Sequence, residues 1–198
     1  MAVSLITLGA IFGGAFIFFF SLKAAMNTPI PIVVVTSGSM EPTINEGDIL
    51  FIQNGSAENI NAGDHDLRTG DVIVYETEGI WLFPISEPVV HRVINRTYNS
   101  TDGKYYFQTQ GDANFAPDAV LVPEDNVYGK VVGKIPYIGW VKLFFDRLSF
   151  GGINIGTFLL VILAVLLVIS ILWDVFKPSK EKDKEKAPEE PVERDYSD

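Results

Sequence analysis

Apolar residues gather at the two ends of the chain. Ala2 to Leu22 carries no charged side chain, and neither does Leu148 to Trp173. A helix crossing a hydrocarbon core needs about 20 mostly apolar residues, and both segments reach that length. Between them the pattern changes to short β-branched and aromatic runs. These are Ile32–Thr36, Asp48–Ile52, Asp71–Tyr75, Val89–Ile94, Lys104–Thr109 and Gly129–Ile135. Glu46-Gly47, Thr69-Gly70 and Asp102-Gly103 punctuate them as turns, and the last predicts a hairpin between Val93–Tyr98 and the run beginning at Lys104. The expected fold is mainly β: an antiparallel β sandwich or partly open barrel flanked by two transmembrane α-helices. Expected boundaries are 1–26 for an N-terminal anchor, 27–147 for the β domain, 148–176 for a second membrane helix and 177–198 for a charged, disordered tail. Residues Asn54 to Arg68, rich in Asn, Gly and Asp, read as a long mobile loop.

The first apolar run lacks the basic lead-in of a cleaved secretory signal and is longer than such a signal's core, so it reads as an uncleaved anchor. Lys177, Lys180, Lys182, Lys184 and Lys186 follow the second run, which favours a cytoplasmic tail and an extracytoplasmic β domain. Lys23, on the domain side of the first helix, does not add to that bias. Sequons at Asn54, Asn95 and Asn99 fit the same sidedness.

Charge narrows the partners. The chain carries a net −10, and acidic residues outnumber basic ones between the apolar ends, which argues against a nucleic-acid partner. With no cysteine, disulfides, thiol nucleophiles and cysteine metal sites are excluded.

Candidate chemistry lies in three blocks: Ser37-Gly38-Ser39-Met40-Glu41-Pro42, Val90-His91-Arg92-Val93, and Gly111-Asp112-Ala113-Asn114 with Asp118 beyond. A serine hydroxyl becomes a nucleophile when a neighbouring base takes its proton. Imidazole suits that task, and a carboxylate on its other nitrogen fixes the tautomer. The chain offers two histidines, His65 and His91. His65, in Gly63-Asp64-His65-Asp66, reads as part of a solvated loop in preference to a metal site. Asp112 and Asp118 both remain open as the orienting acid. Met40 and Phe115 read as packing residues.

These blocks resemble the type I signal peptidases of the archaeal and endoplasmic-reticulum branch, in which histidine stands where the bacterial branch has lysine. Gly70-Asp71-Val72-Ile73-Val74-Tyr75 and the closing block Gly133 to Trp140, read as a strand, add to the resemblance, which covers roughly Val33 to Val141. Ala113, where asparagine is frequent, and the long 54–68 loop depart from the pattern. The resemblance implies Ser39 as nucleophile, His91 as general base and Asp118 as orienting acid. It makes Asp112 a supporting carboxylate and Ser37 a residue near the oxyanion. It further implies a membrane-bound serine endopeptidase that removes signal peptides from preproteins after small residues, through an acyl-enzyme and without metal or organic cofactor. Its partners would be signal-peptide-bearing preproteins, the lipid bilayer and a secretion translocon. The bare two-helix form suggests an archaeal source. Two other readings are a self-cleaving serine protease of related fold and a non-catalytic membrane-anchored scaffold.

Overall fold

The structure is a computed structural model and describes residues 2–147, 149–150 and 153–154, with single positions between 156 and 173. Helix α1 (Ala2–Met26) carries its first charge at Lys23. Phe12, Phe16, Ile17, Phe18 and Phe20 stand exposed around it. Among the described residues no helix is long and apolar enough to cross a membrane. Most of the second expected helix lies outside the described residues. At the start of its expected 148–176 span, strands β8 (Ser149–Phe150) and β9 (Ile153–Asn154) pair instead. The charged tail lies wholly outside the described residues.

The domain is built from β1 (Ile32–Val34), β2 (Ile49–Gln53), β3 (Val72–Tyr75), β4 (Val89–Asn99), β5 (Lys104–Gln110), β6 (Val122–Pro123) and β7 (Val127–Ile135). All seven join in one sheet, ordered β1-β2-β7-β3-β4-β5-β6, and every neighbouring pair is antiparallel. The partly open barrel is therefore the form taken, as a half-barrel; the sandwich is not. Register shifts at Phe51/Ile52, Val74/Tyr75 and Val93/Asn95 bend the strands, so one sheet curls where two flat layers would otherwise stack.

Cores form on both faces. Val72 and Val74 join Met40, Ile44, Leu50, Ile52 and Val90 on one side. Ile73 and Tyr75 join Ile60, Val89, Val93, Phe107 and Val122 on the other. This explains why Val72–Tyr75 is a continuous apolar run: successive strand residues face opposite ways, and here both ways lead inward.

Residues 54–71 are tied down rather than loose. A 3₁₀ turn, Ala57–Asn59, leads to Ile60, which is buried in the second core. The Arg96 guanidinium donates to the Ile60 carbonyl at 2.9 Å. Asn61 N–H reaches the Asp71 carboxylate at 2.8 Å, and Gly63 N–H the Val93 carbonyl at 3.0 Å. Composition marks a loop here, but backbone donors reaching strands far along the chain hold it.

The closing block also departs from its expected form. β7 stops at Ile135, before Pro136, and the chain turns into helix α2 (Trp140–Arg147). Buried Asp48 secures this corner by accepting from Asn45 N–H at 3.0 Å and Tyr137 N–H at 3.2 Å.

Candidate active site

The turn after β1 presents Ser39. Val35 N–H bonds to the Asp48 carbonyl and Gly47 N–H to the Val35 carbonyl, both at 2.9 Å, so the chain leaves the sheet just beyond them. Glu41 N–H closes on the Gly38 carbonyl at 3.1 Å. Met40 and Ile44, both buried, peg the turn into the first core. Ser39 stands immediately before that peg, half-buried, with its hydroxyl directed at β4.

His91 sits in β4 opposite Ile73 of β3, which fixes its height in the sheet. Its Nε2 lies 3.2 Å from Ser39 Oγ. Its Nδ1 lies 2.7 Å from Asp118 Oδ2. Asp118 returns beside the end of β5, where its N–H donates to the Thr109 carbonyl at 2.8 Å. Two further donors hold the same carboxylate oxygen: Thr109 Oγ1 at 2.6 Å and Tyr75 Oη at 3.1 Å. Burial pushes the Asp118 carboxyl up, but the bonds from His91, Thr109 and Tyr75 outweigh it and leave its pKa below the ordinary carboxylate value. Burial raises the Tyr75 phenol, and the Asp118 charge adds to the rise, so Tyr75 stays a donor.

The second carboxylate is elsewhere. Asp112 takes a bidentate pair from buried Arg92, Nε to Oδ1 at 2.7 Å and Nη2 to Oδ2 at 2.8 Å, while Arg92 Nη1 donates to the Gly70 carbonyl at 3.0 Å. Burial raises the Asp112 carboxyl too, and the Arg92 and Thr43 hydrogen bonds more than reverse that shift. The two acids left open by the sequence thus divide: Asp118 bonds His91, and Asp112 bonds Arg92. Ser37 Oγ lies 3.5 Å from Ser39 Oγ at the exposed rim.

Four contacts here were not read from the sequence. Tyr75 and Thr109 look like ordinary strand residues, and Arg92 gives no sign of a partner 20 residues away. His65 is the fourth: its Nε2 bonds the Gly111 carbonyl at 3.2 Å, bringing the 61–70 loop onto the turn beside the site. Phe115, expected to pack, is fully exposed, because the Gln110 side chain bonds the Asn114 carbonyl and the turn carries Phe115 outward. Met40 does pack. Among the described residues no group of three or more His, Asp or Glu could hold a metal ion.

A cleft of about 220 Å³ opens over the Ser39–His91 pair. Its lining comes from Val33 to Ser37 and Glu87 to Val90, with Met40, Trp81 and Ile85. β1 is hydrogen-bonded only to β2, so it forms an edge of the sheet. Chemically, the site pairs a hydroxyl with an imidazole whose other nitrogen is held by a carboxylate, beside an edge that can accept an extended chain.

No protein-family model matches the chain. It is similar to the signal peptidase complex catalytic subunit SEC11 of Candida albicans (strain WO-1), 37% identical over 146 residues, covering 70% of this chain and 79% of that protein. It is 36% identical over 145 residues to SEC11 of Saccharomyces cerevisiae (strain YJM789), covering 69% and 78%. With sec11 of Pyrenophora teres f. teres (strain 0-1) the identity is 34% over 151 residues, covering 72% and 79%. These likenesses define the class, a type I signal peptidase of the endoplasmic-reticulum branch. The chain belongs to the family of SEC11 signal peptidase catalytic subunits.

Proposed function

We propose that this chain removes signal peptides from preproteins by nucleophilic catalysis, with Ser39, His91 and Asp118 as the reacting set. The observation that carries the reading is the unbroken line from Ser39 Oγ through His91 to Asp118, at 3.2 and 2.7 Å. Ser39 Oγ attacks the scissile carbonyl as His91 Nε2 takes its proton. The Asp118 carboxylate keeps the Nδ1–H tautomer and stabilises the imidazolium. The leaving amine takes the proton back from Nε2. Water, deprotonated by the same nitrogen, then hydrolyses the acyl-enzyme. The Ser39 N–H serves the oxyanion, and Ser37 Oγ adds a donor from the rim. Asp112 supports the site indirectly by holding Arg92 and the turn that follows β5.

The substrate is an extended segment added along β1, with small side chains at the first and third positions before the cleaved bond. Val33, Val35 and Met40 narrow the cleft that receives them. The chain is held in the bilayer by two helices, α1 and the 148–176 segment, uncharged from Leu148 to Trp173, with the β domain extracytoplasmic. The exposed phenylalanines of α1 support this anchor. At the membrane the chain meets preproteins emerging from a secretion translocon. We retain the archaeal source suggested by the bare two-helix form; the relatives named above are fungal.

Ser39→Ala and His91→Ala proteins are expected to fold and to leave a preprotein uncleaved in detergent. Wild-type rates in either would remove the assignment.

A further inference from the structure

Helix α2 keeps its apolar stripe outside the domain. Leu143 is the residue it buries, whereas Val141 is 63% and Phe144 59% exposed. At about 100° per residue, Trp140, Phe144 and Val141 share one stripe, while Lys142 and Asp146 pair on another. Tyr137 and Ile138, also exposed, extend the apolar stripe from the preceding turn. A contiguous exposed apolar surface marks something that covers it.

Three observations point to lipid. The uncharged run Leu148 to Trp173 starts at the residue after α2 ends, so α2 lies where the chain meets a bilayer. The exposed side has interface chemistry, Tyr137 beside Ile138, Val141 and Phe144, while Trp140, its ring against Gly47 with the Arg147 guanidinium 5.0 Å over it, fastens the helix to the domain. Its position in the fold also suits a support. Gly139 N–H bonds the Gly47 carbonyl just before β2, whereas Asn54 N–H, just after β2, bonds the Met26 carbonyl at the end of α1. The two helices therefore attach at opposite ends of a five-residue strand, about 17 Å apart at ~3.4 Å per residue.

We propose that α2 lies in the headgroup layer with Val141 and Phe144 towards the acyl chains, so that α1 and α2 together hold edge strand β1 and its cleft along the bilayer surface. This rests on the membrane-anchored reading above.

The cysteine-free chain allows a direct test. Full-length Val141→Cys, Phe144→Cys and Lys142→Cys proteins are labelled with a nitroxide and reconstituted in phosphatidylcholine–phosphatidylglycerol vesicles. Retained cleavage of a short soluble peptide in detergent checks the fold of each. Expected is preferential collision of labels 141 and 144 with oxygen, and of label 142 with a water-soluble nickel chelate. Protein that floats with the vesicles while labels 141 and 144 match label 142 overturns the proposal and leaves the anchor standing. Labels at 141 and 144 shielded from both reagents would mean that protein covers the stripe, which also overturns it. Protein that fails to float removes the anchor reading and this proposal with it. As a second readout, Val141→Lys combined with Phe144→Lys is expected to slow cleavage of a vesicle-borne preprotein several-fold while sparing the soluble peptide; equal rates on both substrates would count against it.

Discussion

Two aspartates six residues apart do different work, and their partners decide which. Asp118, held also by Thr109 and Tyr75, bonds His91 Nδ1, whereas Asp112 bonds Arg92. An Asp118→Asn protein is expected to keep its fold but lose about 10⁴-fold in kcat, since an amide favours the wrong imidazole tautomer. Asp112→Asn should do the reverse. It leaves the buried Arg92 guanidinium without its counter-charge, at a cost of about 3–5 kcal/mol, and should lower the denaturation midpoint well before it changes the chemistry. Activity and unfolding measured on both variants check the division; matched effects in the two would refute it. Acid should weaken both sites. Each carboxyl has a folded pKa below its ordinary value, so its stabilising contribution is complete above the ordinary carboxylate range and disappears as pH falls through the lower folded value. Unfolding on acidification is therefore expected to move to higher pH in Thr109→Val, which removes one of the donors that hold Asp118 down.

The turn from Gly111 to Asp118 is the element that brings these residues together, and it works by close approach. A Cβ on Gly111 would sit 2.5 Å from the Ser39 carbonyl oxygen and 3.0 Å from His91 Nε2. Ala113 N–H bonds that same Ser39 carbonyl at 2.9 Å, so the turn cannot retreat without letting go of Ser39. Gly111→Ala is expected to push Ser39 and His91 apart and cost at least about 100-fold in kcat/KM with modest loss of stability, since misplacement of about 1 Å carries that penalty. Assays beside a melting curve would tell the two effects apart. None of this crowding can be read from Gly111-Asp112 as a dipeptide. What the sequence did carry was local: β-branched runs gave β1, β2 and β3, and Asp102-Gly103 gave the β4–β5 hairpin, which pairs Tyr98 with Tyr105. Motif order also brought Ser39, His91 and Asp118 to notice. What it hid was non-local. Single sheet or sandwich depends on three register shifts, the 54–71 loop depends on Arg96 of β4 and Lys130 of β7 donating to its carbonyls, and α2 is a two-turn helix inside a block whose resemblance pointed to a strand.

At the scale of the whole chain, the proposed function divides the work: the β domain would supply the chemistry and the apolar ends the encounter. The domain is acidic and its cleft measures only about 220 Å³, so in the proposed reading a short peptide in solution has little to hold it beyond the β1 edge. A preprotein held in the same bilayer arrives at a high effective concentration, with its extended segment already at the depth of the cleft. A chain of residues 27–147, stripped of both apolar segments, separates these contributions. Its kcat/KM on a short soluble peptide in detergent is expected to match that of the full chain. Its rate on a preprotein embedded in vesicles should fall by about 100-fold or more, the scale on which tethering acts. Equal losses on both substrates would mean that the apolar ends stabilise the domain instead of delivering it, and an undiminished rate on the embedded preprotein would mean that the β domain finds its substrate unaided.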